Sequence, residues 1–431
     1  MKILILTLGS HGDVQPYVAL GRGLQAAGHA VSVCTSEHFA GFVTDHGLDY
    51  RYMNNGFIDL LASMEGRAAL EGMQSLFGTF KVMATLVPKV GPLQAQVQQD
   101  AWQAAQAVRP DLIVFHPKLA GAVDIADALD VPAIMAPLFP QYVPTTEFPA
   151  VGLPDWPLGD GYRRFTYRFV HFLGKRIGGG PLRTWRRQNR LGRRPAELGL
   201  FTDGNGQAIP VLHGYSPQIS PTPKDWPATA MTMGAWTLPH APDWTPPPAL
   251  VEFLAAGPPL VYVGFGSMAG RKPARVTAIV LEALRQSGRR GLFASGWGGL
   301  AAQALPPEVL AIKQAPHDWL FPQVAAVVHH GGAGTTAAGL RAGRPTIICP
   351  FFGDQPFWGR RVHAIGAGPP PIPQKQLSAE RLAAAIVAAT TDPDIAAAAE
   401  AVGLRLRAER GVESTVDWIE RWMSLRTTGS S

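Results

Sequence analysis

"VAAVVHHGGAGTT", residues 324–336, decides how this chain is read. Its first part is an apolar run short enough for a strand buried on both faces; its second part sets two imidazoles, three glycines and two hydroxyls where a helix begins. Glycines let backbone come close to a ligand, and a helix N-terminus offers unpaired amides with a partial positive charge, so the junction suits a phosphate. Thr335 and Thr336 are placed to cap the helix or to donate to phosphate oxygens, and His330 to donate from its ring. The plainer alternative, a glycine turn with a threonine cap and core histidines, leaves the paired histidine without a purpose. No lysine follows the glycines, as a Walker A loop requires, and the GxGxxG dinucleotide spacing is missing.

Outward from this stretch, "PTIICPFF" (345–352) supplies the next strand, and "PLVYVGFGSM" (259–268), "GLFASG" (291–296) and "LAIKQA" (310–315) the preceding ones, with a helix near Val276–Leu284 among them. "GFGSM" is a second strand-end glycine turn, so Gly266 and Ser267 are placed to grip the same diphosphate from another side. The first half runs the same alternation. "ILILTL" (3–8) meets a glycine turn, a helix carries Leu20, Leu24 and Ala27 and ends at Gly28, and "AVSVCTS" (30–36), "DLIVFHP" (111–117) and "VPAIMAP" (131–137) follow. The expected fold class is α/β, two doubly wound Rossmann-like domains facing a cleft. Their bounds are expected at 1–237 and 259–410, joined by a proline-rich linker over 238–258, with an amphipathic helix and polar tail at 411–431 that can return to the first domain.

Of the 431 residues, 46% are apolar and 16% charged, enough to bury two large cores. The net charge of +6 is concentrated between Arg163 and Arg194, where arginines alternate with Tyr, Phe and Leu. That segment reads either as an amphipathic face for an anionic membrane or as a solvated basic cover over a pocket; no nucleic-acid motif accompanies it. Two cysteines, Cys34 and Cys349, sit in strand-like runs of different halves and give neither a disulfide framework nor a metal quartet, so a cytoplasmic setting is expected. The opening apolar run is too brief for a secretory leader, and no run approaches the ~20 apolar residues of a membrane span, so any membrane contact is expected to be peripheral.

"PHDWLFPQVAAVVHHGGAGTTAAGLRAGRPTIICPFFGDQPFW" (316–358), with "GSHGDVQPYVAL" (9–20), "GFGSM" and "SGWGG" (295–299) in the same order, resembles the UDP-sugar-dependent glycosyltransferases of the branch holding sterol glucosyltransferases and antibiotic glycosyltransferases. The likeness is loosest over about 50–110 and 140–230. It implies the two-domain GT-B fold, an acceptor-binding first domain and a donor-binding second one. By that resemblance His330 contacts the diphosphate, Gly332, Gly334 and Thr335 shape the helix terminus, and Asp354 with Gln355 reads sugar hydroxyls. Ala338 stands where plant relatives carry a ribose-binding glutamate, and Gln314 where they carry a tryptophan on the base; Trp297 is an alternative stacking face. Uridine and thymidine nucleotides therefore both stay open.

Sugar transfer to a hydroxyl needs a base, and Asp13, just past the first strand on a loop facing the cleft, is expected to be that base unless it merely caps the helix. His11 competes for the role, with a pKa better matched to neutral pH. His116, ending "DLIVFH", falls near the supporting-acid position of relatives and pairs with Asp13 in this reading. The expected chemistry is inverting displacement at the anomeric carbon of a nucleotide sugar, UDP-glucose foremost, by a lipophilic acceptor. No metal or further cofactor is expected, because no paired-carboxylate diphosphate site is visible. The alternatives are a UDP-sugar epimerase of the same architecture and a non-catalytic sugar-nucleotide-binding subunit.

Overall fold

The first domain is a parallel sheet of seven strands in the order β3-β2-β1-β4-β5-β6-β7. These are β1 (Lys2–Leu6), β2 (Ala30–Ser36), β3 (Asp49–Met53), β4 (Leu112–Phe115), β5 (Ala133–Met135), β6 (Val211–His213) and β7 (Ala230–Thr232). The second domain is a parallel sheet of five, β10-β9-β8-β11-β12. It holds β8 (Val261–Gly264), β9 (Gly291–Ala294), β10 (Val309–Ile312), β11 (Ala326–His329) and β12 (Thr346–Ile348). The computed structural model describes residues 1–63, 76–119, 121–191, 202–241, 243–265, 273–294 and 305–428; of 61, 62, 76–90, 177, 178, 273, 427 and 428 only the backbone is described.

Continuous apolar strands are what a sheet covered on both faces requires. In β1, Ile3 and Ile5 enter one core cluster and Leu4 and Leu6 the other, all fully buried. In the second domain Val261 and Val263 face one cluster and Tyr262 the opposite one. β3, β6 and β7 carry no such run: "DYRYM" is half-exposed, and the other two have three residues each, so periodicity alone does not reveal them.

Each sheet reverses its strand order once, between β1 and β4 in the first and between β8 and β11 in the second. Loops leaving the carboxyl ends of the strands diverge at such a point and open a crevice for ligand. Register fixes what meets there. Leu6 pairs with Phe115, so the chain after β1 runs beside the chain after β4, and His329 pairs with Gly264 in the same way.

The stretch 238–258 contains a helix, Pro248–Ala255, seated against the second domain through buried Leu250. The final helix, Gly411–Thr428, packs on the first domain: Val416 and Ile419 join the cluster of Val18 and Leu20. Each such buried side chain contributes about 1.5–3 kcal/mol. Trp236 Nε1 donates to Thr415 Oγ1 at 2.9 Å, and the two crossing segments touch at Gly234 and Gly411. A further cluster joins the domains, with Val151, Tyr215 and Ile219 of the first against Phe357 and Trp358 of the second.

Candidate active site

At the first switch point Asp13 lies in the opening turn of the helix His11–Ala26, rather than on a preceding loop. Ser10 is its N-cap, and Asp13, three residues on, returns Oδ2 to the Ser10 amide at 2.7 Å and to Ser10 Oγ at 2.9 Å. Capping thus uses one carboxylate oxygen. The other, Oδ1, faces β4: Lys118 Nζ stands 2.8 Å away and His116 Nε2 3.3 Å away. The Lys118 amide donates to His116 Nδ1 at 3.0 Å, which leaves the ring proton on Nε2, toward Asp13.

The charges follow from this geometry. Burial opposes a charge on Asp13, yet the Lys118 ammonium and His116 hold its carboxyl well below the usual carboxylate range. Burial lowers His116 against the pull of Asp13, which favours the neutral ring, with Nε2 turned toward the carboxylate at 3.3 Å. His11, the other candidate base, packs its ring against Phe42 with centroids 4.9 Å apart; the loss of water around the ring, and secondarily the neighbouring His46, lower its pKa. Lys118 was missed in the sequence. Its one signal there is a cation two residues beyond a strand-end histidine.

The second switch point carries the glycine-rich turn. The helix Ala333–Arg341 is capped by Gly332, and no described side chain bonds to its first amides, which suit an anion. A Cβ at Gly332 would stand 2.7 Å from His330 Nε2, which ties that glycine to the ring beside it. His330 Nδ1 is buried without a hydrogen-bond partner among the described residues, and burial lowers the ring to about 4, partly opposed by the Gly264 carbonyl. Gly334 is exposed beside it, and the hydroxyl of half-buried Thr335 bonds to no described residue. A diphosphate would satisfy the open amides and the orphaned ring nitrogen together. Thr336 is different: its hydroxyl donates back to the Gly332 carbonyl at 2.9 Å and its side chain is fully buried, so it supports the turn from inside. His329 likewise belongs to the core, with Nδ1 accepting the Gly331 amide at 2.9 Å.

Asp354 and Gln355 begin the helix Gln355–Ala364. Gln355 Oε1 accepts the Phe351 and Phe352 amides at 2.7 and 3.2 Å, so its carbonyl is committed to the loop and only its amide nitrogen is left for a sugar. Asp354 Oδ2 accepts from Trp358 Nε1 at 2.8 Å. Its carboxyl is raised to about 6, chiefly by burial, and the charge of Asp13 adds to this. The two carboxylates therefore sense each other across the cleft. His317 stands in the same region, stacked on Phe321 at 4.3 Å and lowered to about 4 by burial, with His11 and His330 contributing. Gln314 is exposed between β10 and that histidine, and Ala338 lies inside the helix Ala333–Arg341. Gly266, Ser267 and Trp297 lie outside the described residues.

A raised carboxyl binds its proton more tightly in the folded protein, so Asp354 contributes stability fully below the ordinary carboxylate range and loses it as pH rises through about 6. Asp13→Asn removes the neighbouring negative charge and leaves Lys118 in place. The expected result is a lower Asp354 midpoint, read from its side-chain carboxyl carbon by NMR titration; an unchanged midpoint would mean that the two groups do not share a site.

Residues 3–146 match the family described as "Glycosyltransferase family 28 N-terminal domain", and residues 299–413 match "Erythromycin biosynthesis protein CIII-like, C-terminal domain". A sterol 3-beta-glucosyltransferase of Arabidopsis thaliana is 38% identical over 424 residues, covering 96% of this chain and 64% of its own. That of Emericella nidulans is 35% identical over 441 residues, covering 99% of this chain and 30% of its own. The chain thus spans between about a third and about two thirds of the length of these relatives. Among solved structures, the glycosyltransferase of kitacinnamycin superposes with a TM-score of 0.70 at 19% identity, covering 98% of this chain and 99% of that one. The glycosyltransferase VinC in complex with dTDP gives 0.67 at 20%, covering 98% and 100%. These two share the fold.

Proposed function

We propose that this chain, matched in its first part by a family 28 N-terminal domain and in its second by an erythromycin CIII-like C-terminal domain, and sharing the fold of solved glycosyltransferases, moves a hexose from a nucleoside diphosphate sugar onto the hydroxyl of a sterol-like alcohol. UDP-glucose is the favoured donor. What supports this reading is the pairing of Asp13 Oδ1, set by Lys118 and His116 at one switch point, with a helix terminus at the other that has no side-chain cap and a buried histidine nitrogen with no partner among the described residues; the charge of Asp13 reaches Asp354 of the second domain.

In the proposed reaction the acceptor hydroxyl passes its proton to Asp13 as its oxygen bonds to the anomeric carbon. The bond from that carbon to the diphosphate breaks on the opposite face, inverting the centre. Charge growing on the leaving diphosphate meets the amides of the helix Ala333–Arg341 and the ring of His330, dipoles fixed before the reaction starts. Asp354 and the Gln355 amide nitrogen hold the sugar. The identity of the sterol glucosyltransferase relatives supports the acceptor class.

Mass spectrometry after incubation with UDP-glucose or dTDP-glucose and a panel of sterols, polyketides and flavonoids tests the reading. One hexose added to a sterol, with release of nucleoside diphosphate, is expected; isomerised donor sugar with every acceptor unchanged would overturn it in favour of an epimerase. Lys118 gives a separate check. Lys118→Met removes the cation that depresses Asp13, so the acid limb of kcat/KM is expected to move to higher pH, and a limb that stays in place rules Asp13 out as the group that sets it.

A further inference from the structure

Three phenylalanines on the helix Gly159–Gln188 serve no core. Phe165, Phe169 and Phe172 are 59%, 41% and 59% exposed, whereas Thr166 and Tyr167 of the same helix are 2% and 0% exposed. At about 100° per residue, the three rings fall in a stripe about 60° wide on the side away from the buried face. Phe165 and Phe169 stack with centroids 6.2 Å apart. At the leading end Trp156, 49% exposed, lies flat on Tyr162 at 5.6 Å, beside Leu158 at 64% exposure. Arg164, Arg168 and Lys175 line one edge of the stripe; all are exposed, and none forms an ion pair with a described residue. Eight basic residues on this helix stand against one acidic residue, Asp160.

We infer that this face docks on an anionic lipid surface, with the aromatic rings in the interfacial layer and the guanidinium and ammonium groups at headgroup phosphates. An apolar stripe edged by unpaired cations fits that occupant. A second copy of the chain fits poorly, because a two-fold contact would set the same cations against each other. No single described helix is long and apolar enough to cross a membrane, so the contact lies along the surface. The inner face of this helix points at the chemistry: His171 Nε2 lies 3.0 Å from the Tyr142 carbonyl, and the buried Tyr142 hydroxyl feels the charge of Asp13.

Flotation of the full chain with vesicles of phosphatidylcholine alone, or with phosphatidylglycerol added, tests this without donor or acceptor, so its failure would leave the proposed transfer reaction standing. The chain is expected to float with the anionic vesicles and to be released by high salt. Removing Arg164, Arg168 and Lys175 as glutamines should weaken partitioning about fivefold per residue, about 100-fold together. Phe165→Ser, Phe169→Ser and Phe172→Ser combined should abolish flotation, and tryptophan at the same three positions should restore it, which separates lost docking from lost folding. Equal binding to neutral vesicles, anionic binding that survives both sets of changes, or a dimer in sedimentation that the serine variant dissolves would each overturn the assignment.

Discussion

Replacing Asp13 with asparagine is expected to lower turnover by about 10² to 10⁴ while nucleotide binding persists. Asparagine keeps the size of the side chain and an oxygen for the Ser10 amide, so the first turn of its helix should hold. What it loses is the site for the acceptor proton and the charge that pairs with Lys118. Single-turnover kinetics beside calorimetric titration of UDP separate the two effects. A variant with near-native turnover would transfer the role of base to another group, His11 first, and a variant that no longer binds UDP would show that the cleft had collapsed.

A methyl group at Gly9 is expected to be nearly as damaging. Gly9 has φ +141°, where a side chain is strained by about 1–3 kcal/mol, and its Cβ would lie 2.3 Å from Asp13 Oδ2 and 2.6 Å from Lys118 Nζ. One of those two groups has to leave its position, so Gly9→Ala should cost more than about tenfold in kcat together with thermal stability. Gly28→Ala is the control. Gly28 also has a positive φ, +86°, but nothing lies within 4 Å of the added carbon, so about 1 kcal/mol of stability should go and kcat should stay. Thermal unfolding and steady-state kinetics on both variants decide the matter; equal kcat in the two would mean that Gly9 does not hold the reactive pair in place.

Much of the fold was legible because parallel strands buried on both faces announce themselves as apolar runs, as in "ILILTL" and "VAAVV". The order of the strands was not. That β4 lies beside β1, across more than a hundred intervening residues, is a property of the whole sheet, and only that pairing brings Lys118 to Asp13. Local spacing found His330 and the helix start, since glycines and a strand end are read within a dozen residues. Spacing could not say which hydroxyl turns inward: Thr335 and Thr336 look alike in the sequence, and helix geometry alone sends Thr336 back to the Gly332 carbonyl. Gln355 shows the same limit, its carbonyl being used by two amides of its own loop.

The meeting of Gly234 and Gly411 has a mechanical meaning. The polypeptide passes between lobes on the outward journey and again on the way home, and both passages run through one spot. The two tethers are thereby one seam, and together with the apolar cluster of Tyr215 and Trp358 they hold the lobes to each other.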